Sequence, residues 1–234
     1  MKDIVNAVIW KEFRLFIKQT CLLFILFFGG IFYGTIKILK QLGDIGQLNS
    51  DIISIYLFIY ILAAIMISGA INTGVSTTAD IREGTLNPVL ASVSRASDIW
   101  LGQFLFSYVM SLSTALAGLL VMNIIIKLNI FSSYQPGLRG IMLWLIFAPA
   151  TGAVYVALNL FLTWVIRYTG IMLVTTLLVP GGTILLIMSN IIHLIGWDPD
   201  IVLAMIFIMS SVLIVIILKK LTDMVPKENY IGKV

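Results

Sequence analysis

Hydrophobic positions in this chain fall in long, nearly unbroken runs rather than in stripes. Six can be marked out, at 20–38, 53–78, 100–126, 141–166, 171–195 and 201–218. Each approaches or exceeds the ~20 residues that cross a bilayer as a helix. None carries the continuous polar face that a soluble core helix keeps toward water. The pattern predicts an all-α polytopic membrane protein, its six-span domain covering 20–218. The connections fall at 39–52, 79–99, 127–140, 167–170 and 196–200, and a short polar tail covers 219–234.

The segment before the first run has a different period. In 1–19, Asp3, Ala7, Lys11, Arg14 and Lys18 share one face at helical spacing, while Val5, Ile9, Phe13 and Phe16 share the other, with Trp10 at the edge. This predicts an amphipathic helix lying in the membrane interface, with Lys11, Arg14 and Lys18 toward anionic headgroups and cytosol and Phe13 toward the acyl region. No small-x-small cleavage site follows the first run, so a signal peptide is not expected.

Composition agrees: 60% of residues are hydrophobic and 11% charged, against about 25% charged in a soluble domain. The net charge of +4 then reads as a topology signal rather than as a nucleic-acid footprint. Six spans put both termini on one side. That side would hold Lys2, Lys11, Arg14, Lys18, Arg82, Arg95, Arg167, Lys219, Lys220, Lys227 and Lys233, leaving Lys37, Lys40, Lys127 and Arg139 on the other. Eleven against four places the termini, and the 79–99 connection with them, in the cytoplasm of a cell-membrane protein. In the fifth run Pro180-Gly181-Gly182 breaks the helix near its middle. Either the span is kinked there, or 183–195 re-enters from outside as a separate helix.

The 79–99 connection is the most informative polar stretch. Thr85 is placed to cap a helix, Pro88 is tolerated in the first turn, and Leu86, Val89, Leu90 and Val93 recur at helical spacing. Ser94 or Ser97, with Asp98, forms a second start signal opening the third span. A passive connector rarely spends 21 residues on capped, amphipathic structure. The expectation is a short cytoplasmic docking helix between spans two and three.

Arg82-Glu83-Gly84-Thr85-Leu86, then Pro88-Val89-Leu90-Ala91-Ser92, Ser94-Arg95 and Leu101-Gly102, resembles the signature after the second span of ABC-type-2 exporter permeases. That pattern runs from an acidic residue and Gly-Thr-Leu through Leu-Ala-Ser/Thr-Pro and Ser/Arg to Gly-Lys. Six spans, an amphipathic N-terminal helix and this chain length are also family features. Two positions depart from the pattern: Val93 stands for its proline, and Gly102-Gln103 for its Gly-Lys. The resemblance implies a permease subunit whose coupling helix seats in a groove of a separate ABC ATPase. It also implies a second permease copy or paralogue, in a two-plus-two assembly within the lipid bilayer. The docking set would be Arg82, Glu83, Gly84, Thr85, Leu86, Val89 and Leu90, with Arg82 and Glu83 making polar contacts and the three apolar residues filling the groove. The cargo classes implied are drugs, peptides and lipid-like molecules.

The sequence contains no Gly-x-x-x-x-Gly-Lys-Ser/Thr, so ATP and magnesium would be bound by the partner ATPase rather than by this chain. Neither His-Glu-x-x-His nor Gly-x-Ser-x-Gly occurs, the lone His193 sits among aliphatic residues, and Cys21 is the only cysteine. No metal site, no disulfide framework and no catalytic centre is expected. Polar groups inside the spans, Asn72, Thr73, Ser111 and Asn159 among them, either line a transport cavity or join helices by hydrogen bonds. Small-residue steps at Gly30/Gly34 and Ala70/Gly74 would let helices approach closely. The other reading of the same features is a non-transporting membrane scaffold that docks a soluble partner through 80–99.

Overall fold

A computed structural model describes residues 2–44, 46, 49–82, 95–166 and 201–224. Among these residues the secondary structure is entirely helical. Four helical stretches, Ser50–Gly74, Ala96–Asn129, Leu138–Trp164 and Ile201–Met224, are long and apolar enough to cross a membrane. The chain is therefore all-α with membrane-helix character. The expected fifth span, the Pro180 break and His193 lie outside the described residues, as does the segment 83–94.

The first helical stretch runs without a break from α1 (Lys2–Leu15) through a π-helical turn (Phe16–Thr20) into α2 (Cys21–Asp44). The π turn spans the point at which the sequence pattern changes period. Gly46, at φ 69°, returns its N–H to the Gly43 carbonyl at 3.0 Å just beyond the end of α2. Helical structure thus extends into the connection expected over 39–52 from both sides. Asn49 then opens α3 (Ser50–Arg82), its Oδ1 accepting the Ile52 N–H at 2.8 Å in the manner of an N-cap.

The helix α4 (Ala96–Asn129) follows, then α5 (Leu138–Met142), a second π-helical turn (Leu143–Phe147) and α6 (Ala148–Ile166). The π turn has a cause in the sequence. Pro149 offers no N–H, and its ring would crowd the carbonyl of Leu145 in a regular helix; widening the turn relieves both. The last described helix is α7 (Ile201–Met224).

The helix α3 is the centre: 83% of its most apolar window is buried, against 17% for α7. Only Ala204, Ser211, Leu218 and Thr222 of α7 are buried, a single seam with apolar side chains exposed around the rest of the helix. That is the distribution expected when lipid rather than water is the outer solvent. The helices α3 and α6 run parallel. Near their starts the Trp144 indole donates to the Ser54 carbonyl at 2.8 Å, and near their ends the Asn159 amide donates to Thr73 Oγ1 at 2.7 Å. Between these links, a Cβ on Gly152 would lie 2.5 Å from Ile65 Cγ2, and one on Gly69 would strike Val156. The close helix approach is thus made at Gly69 and Gly152. Gly30 and Gly34, marked in the sequence for that role, meet no neighbour within 4 Å among the described residues.

Candidate functional site

The segment with the permease-like motif leaves α3 at Arg82 and rejoins the described chain at Arg95, whose backbone is extended (φ −135°, ψ 125°). Of the docking set, Arg82 is the last residue of α3. Glu83, Gly84, Thr85, Leu86, Val89 and Leu90 lie outside the described residues. What the structure does describe is the end of the bundle from which this segment emerges. At 33 residues α3 is about 50 Å long, and α4, with 34, is about as long, against a hydrocarbon core of about 30 Å.

Polar links tie that end together. Gln103 Nε2 donates to Glu12 Oε1 at 3.2 Å, and Trp164 Nε1 donates to Gln103 Oε1 at 2.9 Å. Gln103 is 1% exposed and Glu12 3%, so one buried amide joins α1, α4 and α6. Lys11 Nζ stands 3.7 Å from Glu12 Oε1 and supplies a positive charge beside it. Directly at the start of α4, Asp223 of α7 accepts the Ser97 N–H at 3.0 Å and the Ser97 hydroxyl at 2.8 Å. The expected start signal at Ser94 or Ser97 is realised differently. The N-cap position is Arg95, which makes no side-chain cap, and the capping carboxylate arrives from the far end of the sequence. Asp98 is buried in the first turn of α4, close to the same link.

The α1 helix turns one side onto α4. Val8 and Glu12 are buried, and a Cβ on Gly102 would lie 2.8 Å from Val8 Cγ1, so α1 packs tightly on α4. Phe13 is exposed, as are Arg14 and Lys18. The groove between α1 and α4, ≈ 600 Å³, has Trp10 and Phe13 on its rim. Within the spans, Asn72, Thr73, Ser111 and Asn159 are all buried. Asn159 and Thr73 bond to each other across α3 and α6, and Ser111 returns its hydroxyl to the Ser107 carbonyl at 2.6 Å. None of the four lines the α1–α4 groove or the second apolar groove, of ≈ 350 Å³, between α4, α6 and α7.

Glu12 and Asp223 are the site residues that sequence reasoning passed over. Glu12 carried a faint signal, since it lies four residues from Val8 on the packed stripe. Asp223 carried none, because its partner is 126 positions away. No group of three or more His, Cys, Asp or Glu side chains gathers for a metal among the described residues. The chain matches no family model, no curated protein and no solved structure.

Proposed function

We propose that the chain is the membrane permease subunit of an ATP-driven ABC exporter, with six spans, both termini cytoplasmic and a coupling helix within 79–99. A separate ATPase would bind and hydrolyse ATP with magnesium. This subunit, paired with a second copy or a paralogue, would turn the resulting motion into efflux of a drug, peptide or lipid-like cargo.

The observation that carries this reading is the Arg82–Ser92 motif set between two helices longer than the bilayer core is thick. A partner pushing on 83–94 would act on α3 and α4 directly. The buried Gln103 links and the Ser97–Asp223 pair would pass the displacement to α1, α6 and α7. Under this reading Glu83 and Arg82 contact the ATPase and Leu86, Val89 and Leu90 fill its groove.

A second reading, the non-transporting scaffold, draws support from Thr73 and Asn159, which are buried and joined to each other across α3 and α6. Purification from native membranes in mild detergent, with every co-purifying protein identified by mass, separates the two. The permease reading expects a stoichiometric P-loop ATPase that is lost on Glu83→Ala or Leu86→Asp, and ATP hydrolysis stimulated by cargo. Recovery of only a non-ATPase partner would transfer the assignment to the scaffold.

A further inference from the structure

The groove between α1 and α4 has a composition that selects its occupant. Ile9, Trp10 and Phe13 form one wall and Phe106, Val109 and Met110 the other, and its ≈ 600 Å³ lies within the ~300–1,000 Å³ range of small-molecule sites. Asn6 is the one polar side chain among its lining residues. Trp10 is 57% exposed and stacks on Phe13 with ring centroids 6.0 Å apart, so the rim is aromatic and open. Cationic groups stand at one edge. The Arg14 guanidinium sits over the Trp10 ring, 5.2 Å from its centroid, and Lys18 follows one turn later, exposed. Among the described residues no carboxylate pairs with Arg14 or Lys18, whereas Lys11 is engaged with Glu12.

An apolar trough with an unneutralised cationic edge complements a molecule with a long apolar tail and an anionic head. On a helix that opens a membrane domain, that molecule is a lipid of the adjoining leaflet. We propose that the α1–α4 groove is a discrete site for one anionic glycerophospholipid. An acyl chain would lie between α1 and α4, and the phosphate would meet Arg14, with Lys18 as a second cation. The lipid would complete the packing of α1 against α4 on the side that Val8 and Gly102 leave open. The assignment rests on α1 lying at the membrane surface and is independent of the exporter reading.

Diffuse attraction between a basic helix and an anionic surface depends only on charge, whereas a site also depends on the groove. The full chain, extracted from vesicles containing equal amounts of phosphatidylglycerol and phosphatidylcholine, would be examined by native mass spectrometry for retained lipid. One cation near the surface favours an anionic headgroup by about fivefold, so retention of a single phosphatidylglycerol over phosphatidylcholine by about that factor is expected. Arg14→Gln should even out the two lipids. Val109→Phe, which fills the groove without altering charge, should remove retention of both. Lys219→Gln, a basic residue of α7 outside the groove, should change nothing. Arg14 and Val109 are both exposed, so neither variant disturbs the buried core. Equal retention of the two lipids by the unaltered chain would overturn the proposal. So would selectivity that survives Arg14→Gln, falls equally with Lys219→Gln, or is indifferent to Val109→Phe.

Discussion

Gln103 is the position at which the greatest structural effect is expected from a single polar side chain. Gln103→Leu keeps most of the volume and removes the hydrogen bonds to the Glu12 carboxyl and from the Trp164 indole. A hydrogen bond to a charged partner is worth about 1.5–3 kcal/mol, and one between neutral side chains in a membrane bundle about 0.6 kcal/mol. The substitution should therefore cost about 2–4 kcal/mol, far beyond an exposed polar exchange on the same helix. Double-mutant cycles apportion the loss. Pairing Gln103→Leu with Glu12→Gln should reveal a coupling of about 1–2 kcal/mol, and pairing it with Trp164→Phe one near 0.6 kcal/mol. Gln103→Lys, which supplies the residue usual in the resembled motif, sharpens the test. A lysine can reach Glu12 as an ion pair but cannot accept from Trp164, so it should recover the first term and not the second. The assay is unfolding in mixed micelles followed by circular dichroism. Couplings within about 0.3 kcal/mol of zero for both pairs would mean that the three helices are held by apolar packing alone, and the reasoning would fail.

The other expectations concern separate parts of the bundle. Gly152→Ala drives a methyl group onto buried Ile65 and should cost about 1–3 kcal/mol, partly restored by adding Ile65→Ala; an unchanged melting temperature would refute the close α3–α6 approach. Asn159→Ala should lose about 0.6–1.7 kcal/mol, and Thr73→Val should be nearly silent in that background, since the two share one bond across the helices. Tyr134, in the connection between α4 and α5, is buried, which pushes its phenol from an ordinary value near 10 up to about 12, with Ser54 offsetting part of the rise. The folded chain keeps a proton that the unfolded chain releases above pH 10, so this stabilisation is complete below pH 10 and fades toward pH 12. Unfolding midpoints measured across that range should fall less steeply in Tyr134→Phe than in the unaltered chain.

The long runs at 53–78, 100–126 and 201–218 were legible because uniform apolarity reports a lipid environment directly, without help from tertiary structure. Their ends were not. The helix α3 starts at Ser50 because Asn49 caps it, and α4 starts at Ala96 under a carboxylate from α7. A local cap can be found in a window of four residues, whereas a cap supplied over 126 positions cannot. The α1 helix was legible as an element, but the contact that seats it on α4 was not. Its apolar residues cover more than one face, and Gly102, which admits Val8, decided which of them packs. The same lesson holds for Asn72, Thr73, Ser111 and Asn159, where the residue type announces polarity in the membrane but not whether it meets another helix or an open space. Pro149 lies inside the 141–166 run without ending it, because the surrounding helix continues through it by way of a π turn.

The π-helical turn at Phe16–Thr20 has a further consequence. Upstream of it, Val8 and Glu12 are registered on Gly102 and Gln103; downstream, Phe28 and Phe32 are registered on Tyr60, at ring distances of 5.9 and 6.2 Å. Two docked surfaces on one continuous helix need a fixed angular relation, and the helix between them sets it. A π turn holds one residue more than an α turn, so a single deletion within it is absorbed by closing to regular α-helix. A deletion in the α-helical turns on either side would instead rotate α1 by about 100° relative to α2 and swing Glu12 away from Gln103. The π turn is thus where the chain can lose a residue and keep its phase.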